Sequence, residues 1–516
     1  MLLAQPYQIS EIDEYASTVL GISKQELMRR AGVAVADAVR SLVRVGSSVV
    51  ILAGKGNNGG DGYAAATLLM PDYSVMVVDV FAAGQRTDEG KHFLDKFSRE
   101  GGRIITLADA EAVTKAVTEC DCTVDAVFGT GFRGDYPLET VRAHELLCLN
   151  DHSVRIAIDV PLGVDASDGS VRDEVIYRAD ATVALGFIKP GLVSYPAKEY
   201  VGKLIYDNIG LQNSDIINNF EFKNYAIDRD LALSLLPQRP DNSNKGSFGK
   251  ALIITGSDAF VGAARLSLEA TLRGGVGLTT YLGESSLCDA LSVTFPEAIY
   301  RPCRPSALTD ADLDYVSGLA AVHTAILVGS GSSRSEGLYR LVERLLSTEG
   351  SPLILDADAI NILSEHPEGI ELIRASRRKV ILTPHPLELS RLMGIPTDTV
   401  QAGRIAIAKR FAADNHCVLV LKGAATVVTD GNECYVNTSG SSALAKAGSG
   451  DVLAGVLTSF VASGSYPIRA APVAVYFHGL AADALADEFS CLGVTPSDLP
   501  REVARQIRRA EQGIWN

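Results

Sequence analysis

"NTSGSSALAKAGSGDVLAGV", residues 437–456, passes from a polar turn through Gly448, Ser449, Gly450 and Asp451 straight into an apolar, helical stretch. Glycines at the mouth of a buried helix let backbone N–H groups come close to a ligand, and a helix N-terminus favours an anion. The aspartate there has two readings: a helix cap, or a base beside an anion hole. Upstream lie the short apolar runs "KALIITGS", "GLTTYLG", "AILVGSG", "PLILDADAI", "KVILTPHP", "CVLVLKG" and "ATVVTD". Such nearly continuous runs are what parallel strands buried on both faces need. A doubly wound α/β sheet is expected, with ligands bound at the carboxyl ends of its strands.

The first half carries a similar series: "SSVVILAG", "YSVMVVDVF", "GRIITL", "CTVDAVFGTG", "VRIAIDVP" and "ATVALGFI", with helical stretches such as "GYAAATLLM" between them. The pattern fades over residues 208–250, which are polar and rich in Asn and Asp. With 516 residues the chain exceeds one hydrophobic core. Two domains are therefore expected, 1–218 and 219–516. The halves share no recognisable repeat, which reads as a fusion. A net charge of −15 with no compensating basic run argues against nucleic-acid or acidic-membrane partners. Of eight cysteines only Cys120 and Cys122 are close, without a second pair at zinc spacing. Neither a signal peptide nor a long uncharged apolar run is evident, so a cytoplasmic setting is expected.

Three strand ends of the first half gather polar residues. "AGKGNNGGDGY", residues 53–63, crowds five glycines into one strand-to-helix turn with Asn57, Asn58 and Asp61. It is neither G-x-G-x-x-G nor a Walker loop. Its readings are a tight turn or a nest of N–H groups for phosphate. "DAVFGTGFRGDYP" places Asp125 in a strand and a glycine loop after it, and "IDVPLGVD" ends a strand with Asp159. Two buried carboxylates and an asparagine amide form an oxygen-rich set suited to a hard cation. In the second half, "DADAI" offers two carboxylates for Mg²⁺ waters, "TPHPLEL" fixes His385 between prolines, and "LKGAAT" ends a strand with Lys422 and Thr426 as phosphate donors. In phosphoryl transfer, backbone amides hold the moving group while a carboxylate takes the proton of the attacking hydroxyl. Gly448 to Gly450 and Asp451 match those tasks.

"GNNGGDG", "VDAVFGTGFRG" and "DVPLG" resemble, in order and spacing, the epimerase domain of NAD(P)H-hydrate repair enzymes, whose fold is Rossmann-like and three-layered. The resemblance implies that Asn57, Asn58, Gly59, Gly60 and Asp61 bind the damaged dinucleotide. It likewise implies substrate contacts from Gly129, Thr130, Gly131, Phe132, Arg133, Gly134, Asp135 and Asp159. Asn58, Asp125 and the position of Leu162 would hold K⁺, although the family has Ser where this chain has Leu162. Lys189 in "FIKPG" matches a family lysine, and with Asp159 it is a catalytic candidate. The order strand, "KGAAT", hairpin, "GSGD", helix resembles the ribokinase-like superfamily. "NKGSFGKALIITGSDAFVGAARLSLEATLRGGVGL" and "LTPHPLEL" narrow this to ADP-dependent NAD(P)H-hydrate dehydratases. By that likeness Ala263, Gly331, His385 and Asp451 contact the hydrated nucleotide. Lys422, Gly423, Ala424, Ala425, Thr426 and Gly450 would contact ADP, with Mg²⁺ as cofactor and Asp451 as base. The implied substrates are the hydrates of NADH and NADPH together with ADP, and a homo-oligomer is expected. The alternative from the same superfamily is a kinase of a vitamin-precursor alcohol with a non-catalytic N-terminal half.

Overall fold

Strand Ser48–Ala53 starts the first sheet of the computed structural model, which describes residues 1–81, 85–132 and 134–514. The sheet builds outward through Ser74–Asp79 to Arg103–Thr106. The chain then returns to lay Cys122–Ala126 on the other side of Ser48–Ala53 and continues with Val154–Ile158, Ala181–Leu185 and Lys203–Asp207. All these pairings are parallel. The strand order therefore reverses between Ser48–Ala53 and Cys122–Ala126, and a crevice opens beyond their carboxyl ends. The six expected runs are all strands. Lys203–Asp207 was not expected, because as an edge strand it is only half-buried and lacks the continuous apolar signature.

The second sheet reads, from Tyr225 onward, Asn224–Ile227, Cys434–Asn437, Val427–Thr429, Val418–Leu421, Val380–Leu382, Leu353–Leu355, Ala325–Val328, Lys250–Ile254, Leu278–Gly283 and Ile299–Pro302. From Val418–Leu421 to Ile299–Pro302 every pairing is parallel, while Val427–Thr429 and Cys434–Asn437 form the expected antiparallel hairpin. The order reverses between Ala325–Val328 and Lys250–Ile254. Register matters for the site, because Leu355, Leu382 and Leu419 lie side by side. Asp356 and Thr383 come next on the first two of these strands and Lys422 directly after the third ends, and the Thr383 hydroxyl and Lys422 ammonium both reach the Asp356 carboxylate, so the three share one rim.

The chain divides into two compact units, Leu2–Asn224 and Tyr225–Asn516 together with Met1. The closing helix Leu499–Glu511 buries Leu499, Val503 and Ala510 in the second unit's core. Helix Ser449–Ala462 is buried nearly all round, which is why its sequence shows no polar face.

Candidate active sites

In the first unit a cavity of about 490 Å³ opens at the crevice. Helix Asn57–Leu69 begins there, with Gly56 as a cap that offers no side chain. The N–H of Gly60 reaches the Gly56 carbonyl at 3.2 Å. Those of Asn57, Asn58 and Gly59 precede the first intrahelical bond and suit an anion. Asn57, Asn58 and Asp61 line the cavity, as do Gly129, Thr130, Gly131 and Phe132 from the next strand's end and Asp159 and Lys189.

Other expected residues face elsewhere. A Cβ on Gly59 would stand 2.0 Å from the Gly54 carbonyl oxygen, and one on Gly54 would stand 1.9 Å from that of Val127. Gly60 packs on Met28. These glycines let the helix dock on the strand ends, so the tight-turn reading accounts for them. Gly134 lies outside the cavity and its carbonyl accepts from Arg172 at 2.8 Å. Asp135 is exposed, and Arg133 falls outside the described residues.

Asn58 is buried with neither amide atom hydrogen-bonded, an orphaned donor and acceptor that a bound ligand or cation can satisfy. Asp125 lies wholly buried, accepting the N–H groups of Val127 at 3.0 Å and Leu162 at 2.7 Å. Burial raises its carboxyl to about 7 against those two hydrogen bonds. Leu162 corrects the expected metal set. Its side chain packs with Val127, Ala157 and Tyr177, its N–H is spent on Asp125, and its carbonyl accepts from Tyr177 at 2.9 Å. Asn58 and Asp125 fit a hard cation in donor chemistry; Leu162 does not.

Asp159 has a left-handed backbone, φ 66°, and its carboxylate forms an ion pair with Lys189, which is 1% exposed and also donates to the Leu185 carbonyl at 2.8 Å. A buried lysine needs such a partner to stay charged. The carboxyl of Asp61 is raised well above its ordinary value by burial and by the neighbouring charges of Asp159 and Asp13. Asp13, on helix Pro6–Thr18, lines the same cavity and did not figure among the candidates. A signal was present: in "QISEIDEYAS" Ile9, Ile12 and Ala16 mark one helical face, and Asp13 lies on it.

In the second unit the capping reading of Asp451 fails. Gly448, φ 102°, caps helix Ser449–Ala462 without a side-chain hydrogen bond, and Asp451 sits inside the first turn. The Ser449 N–H turns back to the Lys446 carbonyl at 3.2 Å. Those of Gly450 and Asp451 remain at the helix mouth. Burial raises the Asp451 carboxyl to about 7, with Asp356 adding and Lys422 opposing.

Lys422 donates to Asp356 at 2.9 Å, and a Cβ on Gly450 would stand 3.2 Å from its ammonium. Burial opposes the lysine's charge, but Asp356, Glu388 and Asp451 outweigh it and leave the pKa raised. Asp356 also accepts the hydroxyls of Ser330 at 2.8 Å and Thr383 at 2.7 Å, so it is held in place and orients Lys422. Asp358 accepts the Ser333 N–H at 2.9 Å. Ala263 and Gly331 meet: a Cβ on Gly331 would stand 2.6 Å from that of Ala263. His385 caps helix Pro386–Met393, its Nδ1 accepting the Glu388 N–H at 3.2 Å. Burial and Lys422 lower its pKa, keeping the ring neutral. Gly423 and Ala424 are exposed at the strand end and Ala425 is buried, while the Thr426 hydroxyl closes its own turn on the Gly423 carbonyl at 2.9 Å. The Thr426 hydroxyl is thus spent on its own turn. Arg404 was missed. Its buried guanidinium donates to the carbonyls of Leu421 at 3.1 Å and Lys422 at 3.2 Å, fixing the strand end that carries Lys422.

Two doubly wound α/β units, each with polar residues gathered at the carboxyl ends of its strands, define a two-site α/β enzyme whose second site is built for phosphoryl chemistry. Residues 251–505 match the NAD(P)H-hydrate dehydratase family and residues 24–191 the family described as YjeF-related protein N-terminus. The bifunctional NAD(P)H-hydrate repair enzyme Nnr of Thermofilum pendens is 32% identical, over 98% of this chain and 96% of that one. The Escherichia coli enzyme of that name is 31% identical over 94% and 90%. A solved ADP/ATP-dependent NAD(P)H-hydrate dehydratase from Bacillus subtilis, co-crystallised with ATP/Mg²⁺, is 31% identical with a TM-score of 0.49, covering 55% of this chain and 98% of its own. The chain belongs to the bifunctional NAD(P)H-hydrate repair enzymes.

Proposed function

We propose that the second unit dehydrates the S hydrate of NADH or NADPH using ADP, giving NAD(P)H, AMP and phosphate, and that the first unit interconverts the R and S hydrates. The observation that carries this reading is Asp451, an uncapped aspartate beside the free N–H groups of a helix mouth and the Lys422 ammonium. Its carboxylate takes the proton of the ring hydroxyl as that oxygen attacks the terminal phosphorus of ADP, and AMP leaves. The helix amides and Lys422 neutralise the transferring phosphoryl group. Phosphate then departs with the ring oxygen, a proton leaves the adjacent carbon, and the ring double bond returns. Mg²⁺ bound with the nucleotide would supply further positive charge.

In the first unit Asp61, the helix amides at Asn57 to Gly59 and the loop Gly129 to Phe132 hold the hydrate. Asn58, which lines the cavity, and the buried Asp125 are the residues that would hold K⁺, which would supply charge compensation. This reading includes a cytoplasmic setting and a homo-oligomeric assembly, the latter checked by light scattering. Among the described residues no helix is long and apolar enough to cross a membrane.

The test supplies both hydrate epimers of NADH with Mg²⁺, K⁺ and ADP and follows dihydronicotinamide absorbance. Complete, rapid recovery is expected. Recovery of the S portion alone, with R lagging at its uncatalysed rate, removes the epimerase. No recovery with ADP or ATP favours a vitamin-precursor kinase.

A further inference from the structure

Charged side chains from separate elements meet in the first unit's cavity: Asp13, Asp61, Asp159 and Lys189, with Lys24, Lys55 and Glu89 completing the lining. Lys189 and Asp159 are paired, and Lys24 is drawn to Glu14 at 2.9 Å. Asp13 has no hydrogen-bond or ion-pair partner among the described residues. It lies in the middle of helix Pro6–Thr18, too far from the N-terminus to cap it, next to the buried Ile12 and across a turn from the buried Ala16. A carboxyl turned into a cavity with no hydrogen-bond partner costs stability and caps nothing there.

We propose that Asp13 is a catalytic residue of the epimerisation, the acid that works with the Asp159 carboxylate on the hydrated ring. This rests on the proposed function of the first unit. The ring hydroxyl takes the Asp13 proton and leaves as water, while the ring nitrogen lone pair forms a C=N⁺ bond that balances the Asp13 carboxylate. Water adds to the opposite face of that bond and gives its proton to Asp159. Asp13 is restored when that proton passes back through water in the cavity, so the epimer changes with no net consumption of acid.

Burial raises the Asp13 carboxyl to about 6, with Lys189 and Lys24 drawing it down and Asp159 pushing it up. A group poised near neutrality exchanges protons in both directions most effectively. Burial and the charges of Asp159 and Asp13 push the Asp61 carboxyl well above its ordinary value in the same cavity.

The test uses the full chain carrying Asp13→Asn, with R-to-S conversion followed by chromatographic separation of the epimers in the absence of nucleotide. The conversion rate is expected to fall about 100-fold or more, and the inflection near pH 6 is expected to disappear. Binding of the hydrate to the first unit, measured by calorimetry, should stay within a few-fold, and Asp13→Glu should restore part of the rate together with the inflection. Conversion of pure S hydrate with ADP should be unchanged. A variant with wild-type conversion and pH profile overturns the proposal, as does one whose loss is matched by loss of hydrate binding. A wild-type chain that does not interconvert the epimers overturns the reading of the first unit itself.

Discussion

At the residue level, Asp451 shows how a stability cost and a chemical role coincide. Its native pKa of about 7 lies above the ordinary 3.8, so the folded chain holds that proton more tightly than the unfolded one. As pH rises from 3.8 towards 7 the unfolded state releases its proton first, and the site's contribution to stability falls across that window. Asp451→Asn removes the penalty. Its melting temperature relative to the wild type is expected to match near pH 4 and to rise progressively up to pH 7, as calorimetry across that range would show. The same substitution removes the base, so the dehydration kcat is expected to drop about 100-fold or more. In the wild type, dehydration should slow as pH falls below about 7, because only the carboxylate accepts the hydroxyl proton. An unaltered kcat would assign Asp451 to structure alone.

Elements place these residues, and two contacts decide how well. Helix Asn57–Leu69 docks on the strand ends only because Gly59 has no side chain where the Gly54 carbonyl passes. Gly59→Ala forces backbone apart and is expected to cost about 3 kcal/mol, read as a lowered denaturation midpoint of the first unit with loss of epimer conversion. Arg404 plays the matching part for strand Val418–Leu421. Arg404→Met takes the guanidinium donor from the Leu421 and Lys422 carbonyls, at about 2 kcal/mol. It should also raise the KM for ADP more than it lowers kcat, since Lys422 loses its fixed origin. Steady-state kinetics separates that split from a general loss of folded protein. The strands that carry the sites were readable because each is a buried apolar run. Arg404 was not, since nothing in "TVQAGRIAIAKR" says that one arginine of that helix turns inward to a strand end.

On the scale of the whole molecule, the two activities share a chain and a substrate. A mixture of the Asp451→Asn and Asp13→Asn proteins is expected to repair both epimers completely, because each supplies the step the other lacks. Repair that stops at the S portion in such a mixture would mean that the hydrate passes between sites only within one chain. Local sequence was enough to determine the α/β class, the strand that carries Asp125, the strand ends that carry Asp159 and Lys422, the helix mouth that carries Asp451, and the family. Those features follow from hydrophobic continuity and glycine placement, which act over a few residues. Tertiary structure alone decided which of the gathered residues face a ligand. Close packing assigned Gly54, Gly59 and Gly60 to helix docking, an apolar cluster absorbed Leu162, and hydrogen bonds from Ser330 and Thr383 fixed Asp356 as the holder of Lys422. Asp13 joined the cavity from a helix far away in sequence. Burial and charge at a point are sums over neighbours brought together by the fold, and no window of sequence contains them.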